Sequence, residues 1–410
     1  MKLGAFAGTA VLALSAVPAA LGQGADYTQW RGANRDGTVA NFTEPSAWPE
    51  QLTQRWKVEV GTGYATPLLV GDRLYLFSRL EGQEVMQALD AASGKVIWRS
   101  GYPVTFTMHS ATTRHGEGPK STPVFFNGRL FSIGMTGVVT AWDAASGKQL
   151  WQKPGSEPVP LYTTHSFSPI IEGGTVIFHV GGHNKGALTA FDMQTGAVKW
   201  SWDGDGPGYG SPVVTTFGGT RQLVTITQGK VIGVDVSNGA LLWERPFVST
   251  NNTNGMTPVV NGQAVIVSGN GGPTTAFAVA RRNNQWTTDT LWENTDSQLR
   301  FTNPVVVGNT LIGMSTRNSG QYYGVDVNSG KTLWLSEPRQ ATNAAVAKAG
   351  NVVFFLEDDG ELLVTRGNPT GFETIKRYHV ADSETWTQPT ISGKRIFVKD
   401  VSSLTLWTLP

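Results

Sequence analysis

The chain has 410 residues, a net charge of +1 and only 15% charged residues, so it carries no electrostatic footprint for nucleic acid or an anionic membrane surface. A hydrophobic content of 40% is enough for a large core, and 49 glycines with 14 tryptophans but few long helical patterns point to short strands and many turns. Cysteine is absent, so neither disulfides nor a lipidated N-terminal cysteine is expected.

Residues 1–22 read as a secretory signal peptide, with Lys2 at the positive end, an apolar stretch over 3–17 and the small-residue cleavage site Ala20-Leu21-Gly22 before Gln23. The uncharged stretch is short for a membrane span and no stop-transfer flank follows. A mature chain that is periplasmic or secreted, without a membrane span and not a lipoprotein, is the expectation. Residues 23–54 form an N-terminal extension. Its segment Trp30-Arg31-Gly32-Ala33-Asn34-Arg35-Asp36-Gly37 is turn-rich without strand alternation, and it should lie across the body that follows. Arg55-Trp56-Lys57-Val58-Glu59-Val60 then reads as a strand with no inner strands before it.

From here the chain repeats. A small polar residue before proline, followed by a β-branched run, occurs at Thr66-Pro67, Thr122-Pro123, Ser168-Pro169, Ser211-Pro212, Thr257-Pro258, Asn303-Pro304 and Gln388-Pro389, with Asn343-Ala344-Ala345 standing in the one gap. Downstream of these starts come ALDAASGKVIW at 88–98, AWDAASGKQLW at 141–151, AFDMQTGAVKW at 190–200, GVDVSNGALLW at 233–243 and GVDVNSGKTLW at 324–334. In each unit Asp can bond backbone N–H groups of a tight turn, Gly can take the positive φ that closes it, and Trp offers a flat face for packing between sheets. The period is about 46 residues, within the ~40–50 of four-stranded blades. Arg281-Arg282-Asn283-Asn284 replaces the Asp–Gly turn in the fifth repeat, and Tyr378 takes the tryptophan's place in the seventh.

After Pro389 only three strands follow, at 390–391, 394–399 and 404–409, and the strand at 55–60 would supply the fourth. The fold read from the sequence is therefore all-β: an eight-bladed β-propeller of four-stranded antiparallel blades over 55–410, its ring closed by the N-terminal strand.

The Ala-x-Asp-x-x-x-Gly-x-x-x-Trp units resemble the tryptophan-docking repeats of the pyrroloquinoline-quinone-like propellers. That superfamily contains quinoprotein alcohol dehydrogenases and the propeller lipoprotein of the outer-membrane protein assembly machinery. The stretches 115–121, 181–184 and 202–212 also look like those of exported bacterial members. The resemblance runs from Trp56 to the C-terminus and implies a fold, not an activity.

Strand order within a blade puts the turns at 135–137 and the long connections between blades on one face, around the mouth of the central channel. Taking the residue three before each inner proline, or its neighbour, gives a ring of Tyr64, Lys120, His165, Tyr209, Asn254, Arg300 with Phe301, Thr342 and Trp386. His115, on the long insertion 101–120, and His183 lie near the same face. Aromatic and cationic side chains together suit a flat or anionic ligand, although they could equally plug the funnel by packing on each other. His109, His115, His165 and His183 converging would suit Zn²⁺ or Cu²⁺, yet their spacing is that of no compact metal motif and no metal is expected. The segment 203–208 lacks the closing glutamate of a Ca²⁺ loop and reads as a turn leading to Tyr209. The glycine-rich stretch 269–273 lacks the Lys-Ser/Thr of a phosphate cradle and reads as a blade turn.

The function that follows is a non-catalytic binding or assembly scaffold, monomeric, taking a protein partner or small ligand at the mouth and needing no cofactor. A second reading is an oxidoreductase using pyrroloquinoline quinone and Ca²⁺, as the resemblance allows. Against it, the chain lacks the adjacent cysteines whose disulfide caps the cofactor in those enzymes, and no catalytic set can be matched. A third is a carbohydrate or peptide binder using Tyr64, Tyr209 and Trp386 as stacking platforms.

Overall fold

The computed structural model describes residues 26–155, 159–160 and 164–410, so the signal peptide expected at 1–22 lies outside the described residues. Within them, eight four-stranded sheets form the blades of a propeller. Each blade runs outward from the central channel. In blade 2, Val124–Phe126 is innermost, followed by Arg129–Ile133, Val139–Asp143 and the outermost Gln149–Lys153. The eighth blade takes Thr390–Ser392, Arg395–Lys399 and Ser403–Thr408 from the end of the chain and Thr53–Glu59 from its beginning. Trp56 stands opposite Leu406 and Val58 opposite Leu404, the closure expected from the two incomplete ends.

The repeat unit works as its residues suggest, and in one respect does more. Asp143 accepts the Ser146 N–H at 2.8 Å and the Ser146 hydroxyl at 2.6 Å, while Gly147 takes φ 76°. The same turn recurs at Asp90, Asp192, Asp235 and Asp326. Its glycine also makes room for the neighbouring blade. A Cβ at Gly94 would sit 2.8 Å from the Trp56 ring, and one at Gly196 would sit 2.8 Å from the Trp151 ring. The indole thus lies flat on the turn, and its N–H donates to a carbonyl just beyond the aspartate. The pairs are Trp56 to Ala91 (3.3 Å), Trp98 to Ala144 (3.2 Å), Trp151 to Met193 (3.1 Å) and Trp200 to Val236 (3.0 Å). Trp243 faces the fifth blade, where Asn283 and Asn284 close a different turn at φ 48° and 64°. Its indole bonds Gln222 of its own blade instead, at 2.7 Å.

The core lies between blades rather than within one. Val124, Phe131 and Ala141 of blade 2 pack with Val176, Phe178 and Phe191 of blade 3, with Trp151 at the rim. The N-terminal extension crosses the face made by the first and third turns of the blades. Tyr27 bridges Leu69, Gly71 donates to Asp26, and Lys348 donates to the Gly37 carbonyl. Farther along, Phe42 and Trp48 pack on Phe354 of blade 7, and Tyr378 of that blade donates its hydroxyl to the Pro49 carbonyl. The extension thus covers the one blade without a tryptophan on its outer strand.

Candidate functional site

The small polar residue before each inner proline builds the channel's waist. Proline has no N–H to give, and the residue before it donates its own N–H to the side chain of its counterpart one blade on. Thr66 donates to Thr122 (3.0 Å), Thr122 to Ser168 (3.0 Å), Ser168 to Ser211 (3.0 Å), Ser211 to Thr257 (3.4 Å) and Thr257 to Asn303 (2.6 Å). Gln388 donates to Thr66 across the closure, at 3.2 Å. This belt ties successive blades together at their innermost points.

The extension closes the channel from the opposite face. Trp30 donates its indole N–H to Thr257 at 3.0 Å. Arg31, 1% exposed, bonds the carbonyls of Asn303 (2.8 Å) and Pro304 (2.6 Å). Arg35, 3% exposed, bonds those of Ser168 (2.9 Å), Pro169 (2.9 Å) and Pro212 (2.7 Å). Burial pushes the Arg31 guanidinium down to about 10 and that of Arg35 down to about 9, so both stay charged at neutral pH.

What remains is a cavity of about 140 Å³ between this floor and the loops of the mouth. Its wall is made by the third residue before each inner proline: Tyr64, Lys120, Ser166, Tyr209, Gly255, Phe301 and Trp386. The residue immediately before the proline joins it at Ser211, Thr257 and Asn303. Side chains alternate in direction along extended backbone, so the first and third residues before proline point inward and the second and fourth point away. Part of the expected ring is one residue out of this phase.

Of the expected site residues, Tyr64, His115, Lys120, Tyr209 and Trp386 line the cavity, and His165, His183, Asn254 and Arg300 do not. His165 is buried beside His179, away from the cavity. Asn254, also buried, donates from its side-chain amide to the carbonyls of Thr227, Gln228 and Phe247, while its backbone carbonyl accepts the Tyr209 N–H at 2.8 Å. It is a staple behind Tyr209. His183 stands edge-on to the Tyr209 ring at 5.8 Å. Arg300 is exposed, its guanidinium 5.0 Å from the Phe301 ring centre, and Phe301 takes the inward position. Residues not foreseen in the lining are Trp30 from the extension, Phe106 and Met108 from the insertion, and Met135 from the turn of blade 2. The insertion forms the roof and includes a short 3₁₀ turn, Ser110–His115. His115 then meets the Trp386 ring edge-on at 4.7 Å.

Lys120 is the cation of this cavity. Its ammonium lies 4.4 Å from the centre of the Tyr64 ring and donates to the carbonyls of His115 (3.1 Å) and Gly116 (3.2 Å). Burial, and then repulsion from Lys399, push it down to about 7. The carboxylate in the lining, Glu117, is paired with Arg79 at 3.0 Å.

The buried imidazoles behind the wall set an acid limit on the fold. Desolvation lowers His165 to about 3, helped by its neighbour His179, and His179 itself to about 4. A histidine whose folded value lies below its unfolded 6.5 contributes fully above that value, and the contribution drains away as pH falls toward the folded one. Between pH 6 and 4 each should make the stability slope steeper by about 1.4 kcal/mol per pH unit. Urea unfolding of H165F over this range should therefore show a slope shallower by about one proton. An unchanged slope would mean that His165 titrates normally.

The fold and its site define a class: an eight-bladed propeller of tryptophan-docked blades, with a narrow aromatic cavity at the mouth of its channel. The family model described as outer membrane protein assembly factor BamB matches residues 81–336, and the chain belongs to that family. Outer membrane protein assembly factor BamB of Shewanella oneidensis is 24% identical over 376 residues, covering 87% of this chain and 88% of that protein. The quinohemoprotein alcohol dehydrogenase of Comamonas testosteroni is 27% identical over 184 residues, 44% of this chain but 25% of the enzyme. Among solved structures, BamB from Moraxella catarrhalis superposes with a TM-score of 0.63 at 17% identity, covering 87% of this chain and 98% of that one. The Comamonas testosteroni enzyme gives 0.54 at 13% identity, with 93% and 80% covered.

The residues present do not fit a quinone held by Ca²⁺. Among the described residues no three His, Asp or Glu side chains stand together to hold an ion, and the sequence has no cysteine for the capping disulfide. The cavity, about 140 Å³, is close to the roughly 150 Å³ of an apolar cavity that takes benzene.

Proposed function

We propose that this protein is an exported, non-catalytic binding or assembly propeller that engages its partner through the loop-built mouth of the channel. The observation that carries the reading is the match to the assembly-factor family across 81–336. The correspondence with the Shewanella oneidensis assembly factor over 87% of this chain and 88% of that protein supports it, whereas the alcohol dehydrogenase corresponds to 44% of this chain and 25% of its own length. No described helix is long and apolar enough to cross a membrane. The leader-like segment 1–22 supports export, with the folded part in the periplasm or outside the cell. On the mouth, the roof residues Phe106, Met108 and His115 are partly exposed and would present an apolar, aromatic rim to a partner.

The test is affinity capture of the tagged full chain from cross-linked envelopes of its own cells, with the wild type and M108D compared. An envelope protein captured by the wild type and lost in M108D is the expected result. Dye-linked alcohol oxidation by the purified chain with Ca²⁺ and pyrroloquinoline quinone would overturn the reading in favour of an enzyme.

A further inference from the structure

We propose that the cavity beneath the mouth is a binding site for a small acid of a single aromatic ring, its ring held among Tyr64, Phe301 and Trp386 and its carboxylate on the Lys120 ammonium. The inference deepens the mouth-site reading above by naming a ligand class, and it stands on the cavity rather than on the partner.

Size comes first. A space of about 140 Å³ matches one six-membered ring with a short substituent. Shape is second. Tyr64 and Trp386 stand 6.5 Å apart at 58°, and Phe301 and Trp386 6.4 Å apart at 70°. Mutually tilted rings offer a guest both faces and edges, the arrangement aromatic groups prefer. Trp386 is held in that pose by the bond from its indole N–H to Glu384 at 3.0 Å.

Charge selects among the single-ring molecules that would fit. An ammonium has three N–H donors, and that of Lys120 gives two to the carbonyls of His115 and Gly116, leaving one without an oxygen partner. Among the described residues no carboxylate lies within ion-pair distance of it, and the charged group acting on it is another cation, Lys399. Lys399 is itself buried and bonded to the carbonyls of Asp400 and Val401. Lys399 lies outside the lining and has Asp400 and Glu59 acting on it, so it is the Lys120 ammonium, with no carboxylate at ion-pair distance, that favours an incoming carboxylate over a neutral ligand. Glu117, bound to Arg79, is already neutralised and does not cancel that preference.

The experiment is calorimetric titration of the full chain with benzoate and with benzamide, which share shape but differ in charge. At pH 6.5 benzoate should bind about tenfold or more tightly than benzamide, the discrimination expected of a charge-assisted hydrogen bond. Its affinity should fall between pH 7 and pH 9 as Lys120 loses its proton. Around pH 7.5, buffers of different ionisation enthalpy should reveal proton uptake on binding. K120M should abolish the preference for benzoate over benzamide. Because the comparison in the wild type needs no variant, a misfolded K120M would not rescue the idea. Equal affinities for the two probes, or no binding of either up to millimolar concentration, would overturn it. The partner capture described above is independent of both probes: its success alongside such a failure would leave the mouth reading standing without this ligand.

Discussion

A proline at Val58 should destabilise the protein by about 3–4 kcal/mol, whereas a proline at the adjacent Lys57 should cost less than about 1 kcal/mol. Val60 donates its N–H to the Ser402 carbonyl at 2.8 Å, and bonded pairs alternate along an antiparallel ladder. Val58, two residues earlier and opposite Leu404, therefore also donates across the closure, while the Lys57 N–H points to the free edge of the outermost strand. Losing the Val58 bond does more than remove one contact. Thr53–Glu59 is the strand by which the start of the chain completes the eighth blade, and weakening it frees a sheet edge in a ring whose blades support one another. Urea unfolding of V58P, K57P and V58A separates the backbone effect from the lost methyl packing. Equal destabilisation by the two prolines would show that this ladder does not hold the ring shut.

The fold was legible because each repeat residue has a local job. Asp, Gly and Trp must stand at fixed spacing for the turn and its docked indole to form, so the pattern survives in the bare string. Chain closure was legible as a shortage at both ends. Only half of the glycine's role could be read, since the need for a positive φ is local and the Trp56 or Trp151 ring lying on it comes from the preceding blade. The site was harder for a related reason. Inner prolines mark where strands begin, but the phase of side chains just before them depends on a backbone alternation that crosses loops of unequal form. One residue of phase error moved His165, Asn254 and Arg300 into the expected ring, where Ser166, Gly255 and Phe301 stand. Serine and glycine at those positions give no chemical signal to correct it. Trp30 was out of reach, since its turn-rich segment has no periodicity to say which way it faces.

The same segment yields the second large effect: R35M should cost about 3–5 kcal/mol and loosen the floor of the cavity. Inner strands that begin at prolines bring their first carbonyls toward one axis, and on the closed side of the channel those oxygens need a donor that can reach several at once. The planar guanidinium of Arg35 spans two blades by bonding Ser168, Pro169 and Pro212, and Arg31 holds Asn303 and Pro304 at the start of one blade across the channel. Methionine fills much of the volume but leaves three buried acceptors unmet, each a desolvation penalty of about 1–3 kcal/mol. Lysine is no substitute, because its donors sit on one atom and lack the fork, so R35K should lose most of the same stability. N34A alters an exposed neighbour and should be silent. Hydrogen exchange over 27–39, read by mass spectrometry, should rise at least tenfold in R35M and R35K and stay at the wild-type rate in N34A. Wild-type exchange in R35M would mean that the extension is held by its packing on Phe354 and by its backbone bridges, with the buried cation dispensable.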